Sequence, residues 1–245
     1  MQIQKGIEIT DLCLYIKKHK LLVIGDVHIG YEEELNKKGY LIPRIHYKET
    51  MQRLEKIVKE KDIETILFIG DLKHEFGTIS ETEWRNTLKL LDFCAKHCNK
   101  IILIKGNHDT ILEPIAKKRK LEVVDEFIVD NILFLHGNII PKHTLETIKD
   151  IKTIIIGHEH PAISIMDPPR VEKYKCFLKG KYKNKQLIVL PSFNLITEGT
   201  DILKEQLLSP FLKQNLNNFE VFIVADKVYS FGKIKKIKEI NKKSS

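Results

Sequence analysis

The chain has 245 residues, 42% of them hydrophobic, and a formal charge of +8 carried mainly by lysine. No run approaches the roughly 18 consecutive apolar residues that span a bilayer, and the N-terminus lacks a basic segment followed by an apolar run and a cleavage site. Four scattered cysteines (Cys13, Cys94, Cys98, Cys176) cannot build a disulfide framework. These features exclude a disulfide-stapled secreted domain and leave a cytoplasmic protein as the expectation. Its basic charge suits a polyanionic partner, because neutralising phosphates releases counterions.

From about residue 20 to residue 160, short apolar strands alternate with helical patterns, the βαβ signature. Strands are predicted near 21–25, 65–70, 101–105, 131–136 and 153–157, with helices over 47–60 and 81–98. The second helix opens with Ser80-Glu81-Thr82-Glu83, which has the form of a reciprocal capping box. Its apolar stripe is Trp84, Leu88, Leu91, Ala95 and Cys98, so Cys94 and Cys98 are assigned to packing rather than to a metal. Beyond residue 160, β-like runs follow at 172–178, 186–190, 219–224 and 227–231. Residues 201–215 look helical, and Pro168-Pro169 forms a turn. No Gly/Ser/Pro-rich linker separates the halves. A single domain over 1–232 with a basic tail at 233–245 is the economical division.

Several strands end alike. LLVIGD (21–26), ILFIGD (66–71), IILIKGN (101–107) and TIIIGH (153–158) are each an apolar strand, a glycine, then Asp26, Asp71, Asn107 or His158. ILFLHG (132–137) places His136 just before its glycine. A glycine permits a sharp exit from a strand, and ligands bind at the carboxyl ends of strands in open α/β sheets. The five strands are expected to deliver these side chains to one rim. His28 and His160 follow two residues after Asp26 and His158, and GNHD adds His108 and Asp109. One Gly-Asp is an ordinary turn and one histidine is ordinarily a hydrogen-bonded core residue. Five endings with metal-competent side chains point to metal binding.

In order, GDVH, GDLKH, GNHD, LHG and GHEH resemble the motif set of the calcineurin-like metallophosphoesterases. GDLKH resembles the SbcD-type repair exonucleases. GYLIPRIHYKETMQRL, LPSF and LSPFL are similar to stretches of smaller SbcD-related archaeal phosphoesterases and of ligase-associated nucleases. The resemblance implies a four-layer α-β-β-α sandwich of two mixed sheets. It implies one ion on Asp26, His28, Asp71 and His160, and a second on Asp71, Asn107, His136 and His158, with Asp71 bridging and Glu159 outside the ligand set. A carboxylate can serve two ions roughly 3.5–4 Å apart. A set of imidazoles, carboxylates and an amide without thiolate suits Mn²⁺, the expected ion, as well as Fe or Zn²⁺.

The expected chemistry is in-line hydrolysis of a phosphodiester by a metal-bridging hydroxide, since coordination can lower the pKa of water to about 7. His108 is the candidate general acid, and His74 is expected to face substrate. Asp109 either orients His108 or caps the next helix. In EKYKCFLKGKYKNKQ (172–186), Lys179, Lys181 and Lys183 share a phase and could track a phosphodiester backbone if the segment is extended; a solvated face is the plain alternative. His19, His46, His97 and His143 are assigned to packing or surface, and Arg44 to the solvated surface, with a phosphate contact as its alternative. The expected partner is DNA or another phosphodiester, with no membrane association. A small-molecule phosphoesterase would need no basic track, and a non-catalytic scaffold would have lost ligands that this sequence retains.

Overall fold

The computed structural model describes residues 1–43, 45–75 and 79–243. Two compact units are present, one formed by residues 1–125 with 193–197 and the other by 126–192 with 198–245.

The first unit is built on a seven-stranded sheet whose spatial order follows the chain. The strands are β1 (Gln2–Gln4), β2 (Ile7–Thr10), β3 (Cys13–Ile16), β4 (Leu21–Ile24), β5 (Thr65–Ile69), β6 (Lys100–Ile104) and β7 (Glu122–Val124). Neighbours are antiparallel from β1 to β4 and parallel from β4 to β7. Every residue of β4 is buried, as are the last four of β5 and of β6. Continuous apolar runs of this kind are what a sheet covered on both faces requires, and each fully buried Leu or Ile contributes about 1.5–3 kcal/mol.

Helices α1 (Tyr31–Lys37), α2 (His46–Glu60), α3 (Glu81–Cys94) and α4 (Glu113–Arg119) complete this unit. Helix α3 stops at Cys94, four residues before its predicted end, where Lys96 N turns back to Phe93 O. Its buried stripe is Glu83, Thr87, Leu90, Leu91 and Cys94, with Leu88 at its edge. Ala95 is exposed, and Trp84 is half-buried with Lys118 Nζ 5.7 Å from its ring centre. Half of the capping box forms: Ser80 Oγ accepts from Glu83 N. The Glu83 carboxylate is drawn elsewhere, as described below.

The second unit holds a nine-stranded mixed sheet. It comprises β8 (Glu126–Val129), β9 (Ile132–Leu135), β10 (Thr153–Ile156), β11 (Pro161–Asp167), β12 (Arg170–Tyr182), β13 (Lys185–Val189), β14 (Thr200–Asp201), β15 (Glu220–Val224) and β16 (Val228–Lys233). Strands β9, β10 and β13 run parallel; β12 is antiparallel to β11, β13 and β15. Pro168 and Pro169 make the β11–β12 turn. Two short helices, α5 (Lys142–Thr147) and α6 (Ile234–Lys243), belong to this unit. The basic C-terminal run is therefore helical. Its Ile234 and Ile237 are buried, and Asn241 Nδ2 donates to Ser164 O on β11 at 2.9 Å.

Two expectations are corrected. Residues 201–215 form no α-helix: Pro210 permits only a short 3-10 turn over Pro210–Leu212, and the backbone before it is captured by a buried carboxylate. The five motif-bearing strands also do not share one sheet. β4, β5 and β6 end on the sheet of the first unit, and β9 and β10 on that of the second.

Candidate active site

In the first unit the GDVH loop leaves β4, GDLKH leaves β5 and GNHD leaves β6. Asp26 and His28 take left-handed backbone conformations with φ of 33° and 48°, and Asp71 does so with φ of 47°. Non-glycine residues there cost of order 1–3 kcal/mol each and persist only where the surroundings enforce them. The enforcement is visible. His28 N donates to Asp71 O at 2.9 Å and Ile29 N to Leu72 O at 3.0 Å. Phe193 and Asn194 brace the same loop: Phe193 N donates to Gly25 O and Asn194 N to Asp26 O. Asn194 Nδ2 donates to Val27 O at 3.1 Å.

Asp71 is buried and split between two tasks. Its Oδ1 accepts from His108 N at 2.8 Å. Its Oδ2 lies 3.7 Å from His28 Nε2, too far for a hydrogen bond and within the span of two ligands sharing one ion at about 2.0–2.2 Å each. Asp109 is fully buried, and its carboxylate accepts from Gly106 N at 3.0 Å, Lys73 N at 3.3 Å and Leu72 N at 3.4 Å. It thus ties the second and third motif loops together through their backbones.

Lys73, in the middle of GDLKH, is fully buried. Its Nζ donates to Glu75 O and, at 2.5 Å, to His108 O, and burial lowers its pKa. Glu83 Oε1 accepts from His74 N at 2.8 Å and Glu75 N at 3.1 Å; burial raises its pKa. His108 Nδ1 lies 2.6 Å from His74 O. A carbonyl only accepts, so Nδ1 carries the proton. The ligand atoms of His28, His74 and His108 lie within 4.8 Å of one another.

In the second unit His136 closes β9, and His158 and His160 follow β10. Both of the latter are left-handed, with φ of 64° and 49°. His158 Nδ1 sits 3.1 Å from His136 Nε2, close to the roughly 3.3 Å that separates two nitrogens on one tetrahedral ion with 2.0–2.1 Å bonds. Between the two histidines, Glu159 is fully buried and faces the LSPFL stretch. Its Oε2 accepts from Leu208 N at 2.9 Å and Ser209 N at 2.7 Å, and burial raises its pKa. Ser209 Oγ donates to Gly137 O at 2.8 Å. One serine thereby joins the LHG and GHEH loops.

The remaining expected residues are placed as follows. Asn107 lies in the GNHD loop. Lys179 and Lys181 lie on β12, with Lys179 Nζ 3.3 Å from Glu220. Lys183 occupies the turn after β12, its Nζ 5.8 Å from the Tyr182 ring centre. Arg44 lies outside the described residues. Sequence reasoning missed Glu34, Lys73 and Ser209, and gave Glu83 only a capping role, because none is a metal-ligand type at a strand end. The one signal available was their proximity in sequence to motifs already marked.

The donor chemistry, the paired-ligand spacings and the enforced backbone all fit divalent ions. The fold and these motif loops define a metal-dependent phosphoesterase. Comparison with known proteins agrees: the sequence model for calcineurin-like phosphoesterase matches residues 19–216, and the chain belongs to that family, which typically works with two metal ions. The structure of nuclease MPE from Pseudomonas putida is similar at 21% identity, covering 90% of this chain and 92% of that one with a TM-score of 0.64. Yfce, a phosphoesterase from E. coli, is 11% identical over 87% of this chain and 97% of that one, with a TM-score of 0.43. No curated protein sequence matches. No described helix is long and apolar enough to cross a membrane.

Proposed function

We propose that the protein is a DNA nuclease acting in cytoplasmic DNA repair, with Mn²⁺ as its working metal. One ion is assigned to Asp26, His28, Asp71 and His160, and the other to Asp71, Asn107, His136 and His158. The observation that supports the metal assignment is the pairing of ligand atoms at ion-sharing distances, His28 Nε2 with Asp71 Oδ2 at 3.7 Å and His158 Nδ1 with His136 Nε2 at 3.1 Å, with His28, Asp71 and His158 held in left-handed backbone. When bound, such ions polarise the phosphoryl group and supply a nucleophile from water at neutral pH. The chain's own part is to orient and to move one proton. Asp71 is held in register by His108 N. His108 keeps Nδ1–H on the His74 carbonyl and, as the doubly protonated imidazolium, gives its Nε2 proton to the leaving oxygen, returning to the neutral ring with Nδ1–H retained. Such transfer contributes typically 10²–10⁴-fold. Asp109 acts by position, through the loop that carries His108.

The DNA assignment is supported by the GDLKH motif, the net positive charge and the fold shared with a protein described as a nuclease. A second reading, a small phosphodiester as substrate, is favoured by the state of the lysines on β12. Lys179 faces Glu220, Lys175 Nζ donates to Ser192 O, and Lys173 Nζ donates to Glu205. The test is to incubate Mn²⁺-loaded protein with linear duplex DNA, single-stranded DNA and a chromogenic phosphodiester, with Asp71→Asn and His108→Ala as controls. DNA cleavage lost in both controls is expected. Cleavage of the small diester with DNA left intact at low salt would reject the nuclease reading.

A further inference from the structure

We propose that Glu34 and His74 form a relay that fixes the tautomer and aim of His28, making both of them positioning residues for the first metal ion. The inference rests on the metal centre assigned above and adds to it a residue from outside every motif. Glu34 lies on α1, and its Oε2 meets His74 Nε2. On the other side of the ring, His74 Nδ1 lies 3.2 Å from His28 Nδ1. The far nitrogen of His28, Nε2, looks towards Asp71 Oδ2 at 3.7 Å.

The proton positions follow from the carboxylate at one end and the ion at the other. An ionised carboxylate only accepts, so His74 Nε2 carries a proton and donates it to Glu34. Burial pushes the Glu34 carboxyl up, but hydrogen bonds from Lys38 and His74 outweigh it and keep the group ionised. His28 is assigned to the ion through Nε2, so its own proton sits on Nδ1 and faces His74 Nδ1, which accepts it. His28 Nε2 is left with its lone pair aimed at the ion. Metal-bound histidines are oriented in this way by the partner of their second nitrogen.

This arrangement also decides what His74 does. Both of its ring nitrogens are engaged, one with Glu34 and one with His28, and its face lies against Tyr31 with ring centres 4.4 Å apart. No ring nitrogen remains to meet a phosphate. His74 serves through His28, in place of the substrate contact expected from the sequence.

The test uses the full chain. Mn²⁺ is titrated calorimetrically into metal-free wild type, Glu34→Ala, His74→Ala and the double variant, and histidine tautomers are read from long-range ¹H–¹⁵N spectra of the wild type. Two ions bind the wild type, and each single variant weakens one of them roughly 10–100-fold while the other stays within twofold. The double variant is no weaker than either single. The wild-type spectrum shows His74 protonated on Nε2 and His28 on Nδ1. Two ions bound with unchanged affinities in all variants overturn the relay alone, as does a wild-type His28 protonated on Nε2. Three ions per chain, one of them lost with His74→Ala, overturn it in favour of an ion held by His28, His74 and His108. A wild type that binds no divalent ion overturns the centre and the relay together.

Discussion

A Cβ built on Gly106 would lie 2.1 Å from Asp71 Oδ1 and 2.3 Å from Asp71 N. The third motif loop thus passes against the carboxylate assigned to bridge the two ions, and only a residue without a side chain fits. One of the two clashing atoms is backbone and cannot swing away. Gly106→Ala is expected to destabilise the fold at the upper end of overpacking costs, about 3 kcal/mol, and to weaken uptake of both ions. Urea denaturation and calorimetric metal titration measure the two effects. A variant as stable as wild type shows that the loops can separate, and removes Gly106 from the account.

Glu159 bears the load on the opposite half of the motif set. Its replacement by alanine leaves the buried amide of Ser209 and the part-buried amide of Leu208 without their acceptor, a loss of about 2–3 kcal/mol. Glu159→Gln keeps one acceptor oxygen and costs less. If the alanine variant unfolds at the wild-type urea midpoint, these two hydrogen bonds contribute nothing net.

Glu83 sets a pH dependence. Its pKa in the folded chain is raised by burial above the ordinary 4.5. In the window above 4.5 the folded state holds more protons than the unfolded state, so stability falls as pH rises and levels off once the carboxyl has ionised in both. Glu83→Gln removes that slope while retaining an acceptor for His74 N. Thermal midpoints of metal-free protein at a series of pH values from 4 to 8 test it; identical slopes for variant and wild type are the adverse result.

Lys73→Met removes the ammonium that joins Glu75 O to His108 O. The His108 loop then loses a buried tether, and kcat for a chromogenic diester is expected to fall roughly 10²-fold, as for a misplacement near 1 Å, with KM changed little. A kcat within twofold of wild type would assign Lys73 to packing.

For the β12 lysines, neutralising Lys179, Lys181 and Lys183 should weaken DNA binding and flatten its salt dependence. At about 0.9 per phosphate contact, the slope falls by at most about 2.7, and by less if Lys179 stays with Glu220. An unchanged slope assigns these lysines to the solvated surface.

The strands that end in Asp26, Asp71, Asn107, His136 and His158 were legible in the sequence because buried parallel strands are unbroken apolar runs closed by glycine. Their distribution over two sheets was not, since strand endings carry no record of which neighbour they pair with. The first three strands escaped notice because edge hairpins are short and half polar, as QIQ and IEIT are. The face of α3 was misread for a definite reason: a buried glutamate, Glu83, occupies its stripe, and a search for apolar periodicity cannot count a carboxylate. Glu34 was invisible for the complementary reason. On α1 it looks like any exposed acid, and only the folded chain brings it to His74.

Five of the ten described non-glycine residues with left-handed backbones are assigned metal ligands. At such positions glycine is the conformationally cheaper residue, so mutation and catalysis pull in opposite directions. A duplicate of this chain released from its reaction should drift towards glycine or asparagine at Asp26, His28, Asp71, His158 and His160, growing sturdier as it falls silent. The loss of activity in such a copy would be favoured by folding itself, and it would leave a legible trace.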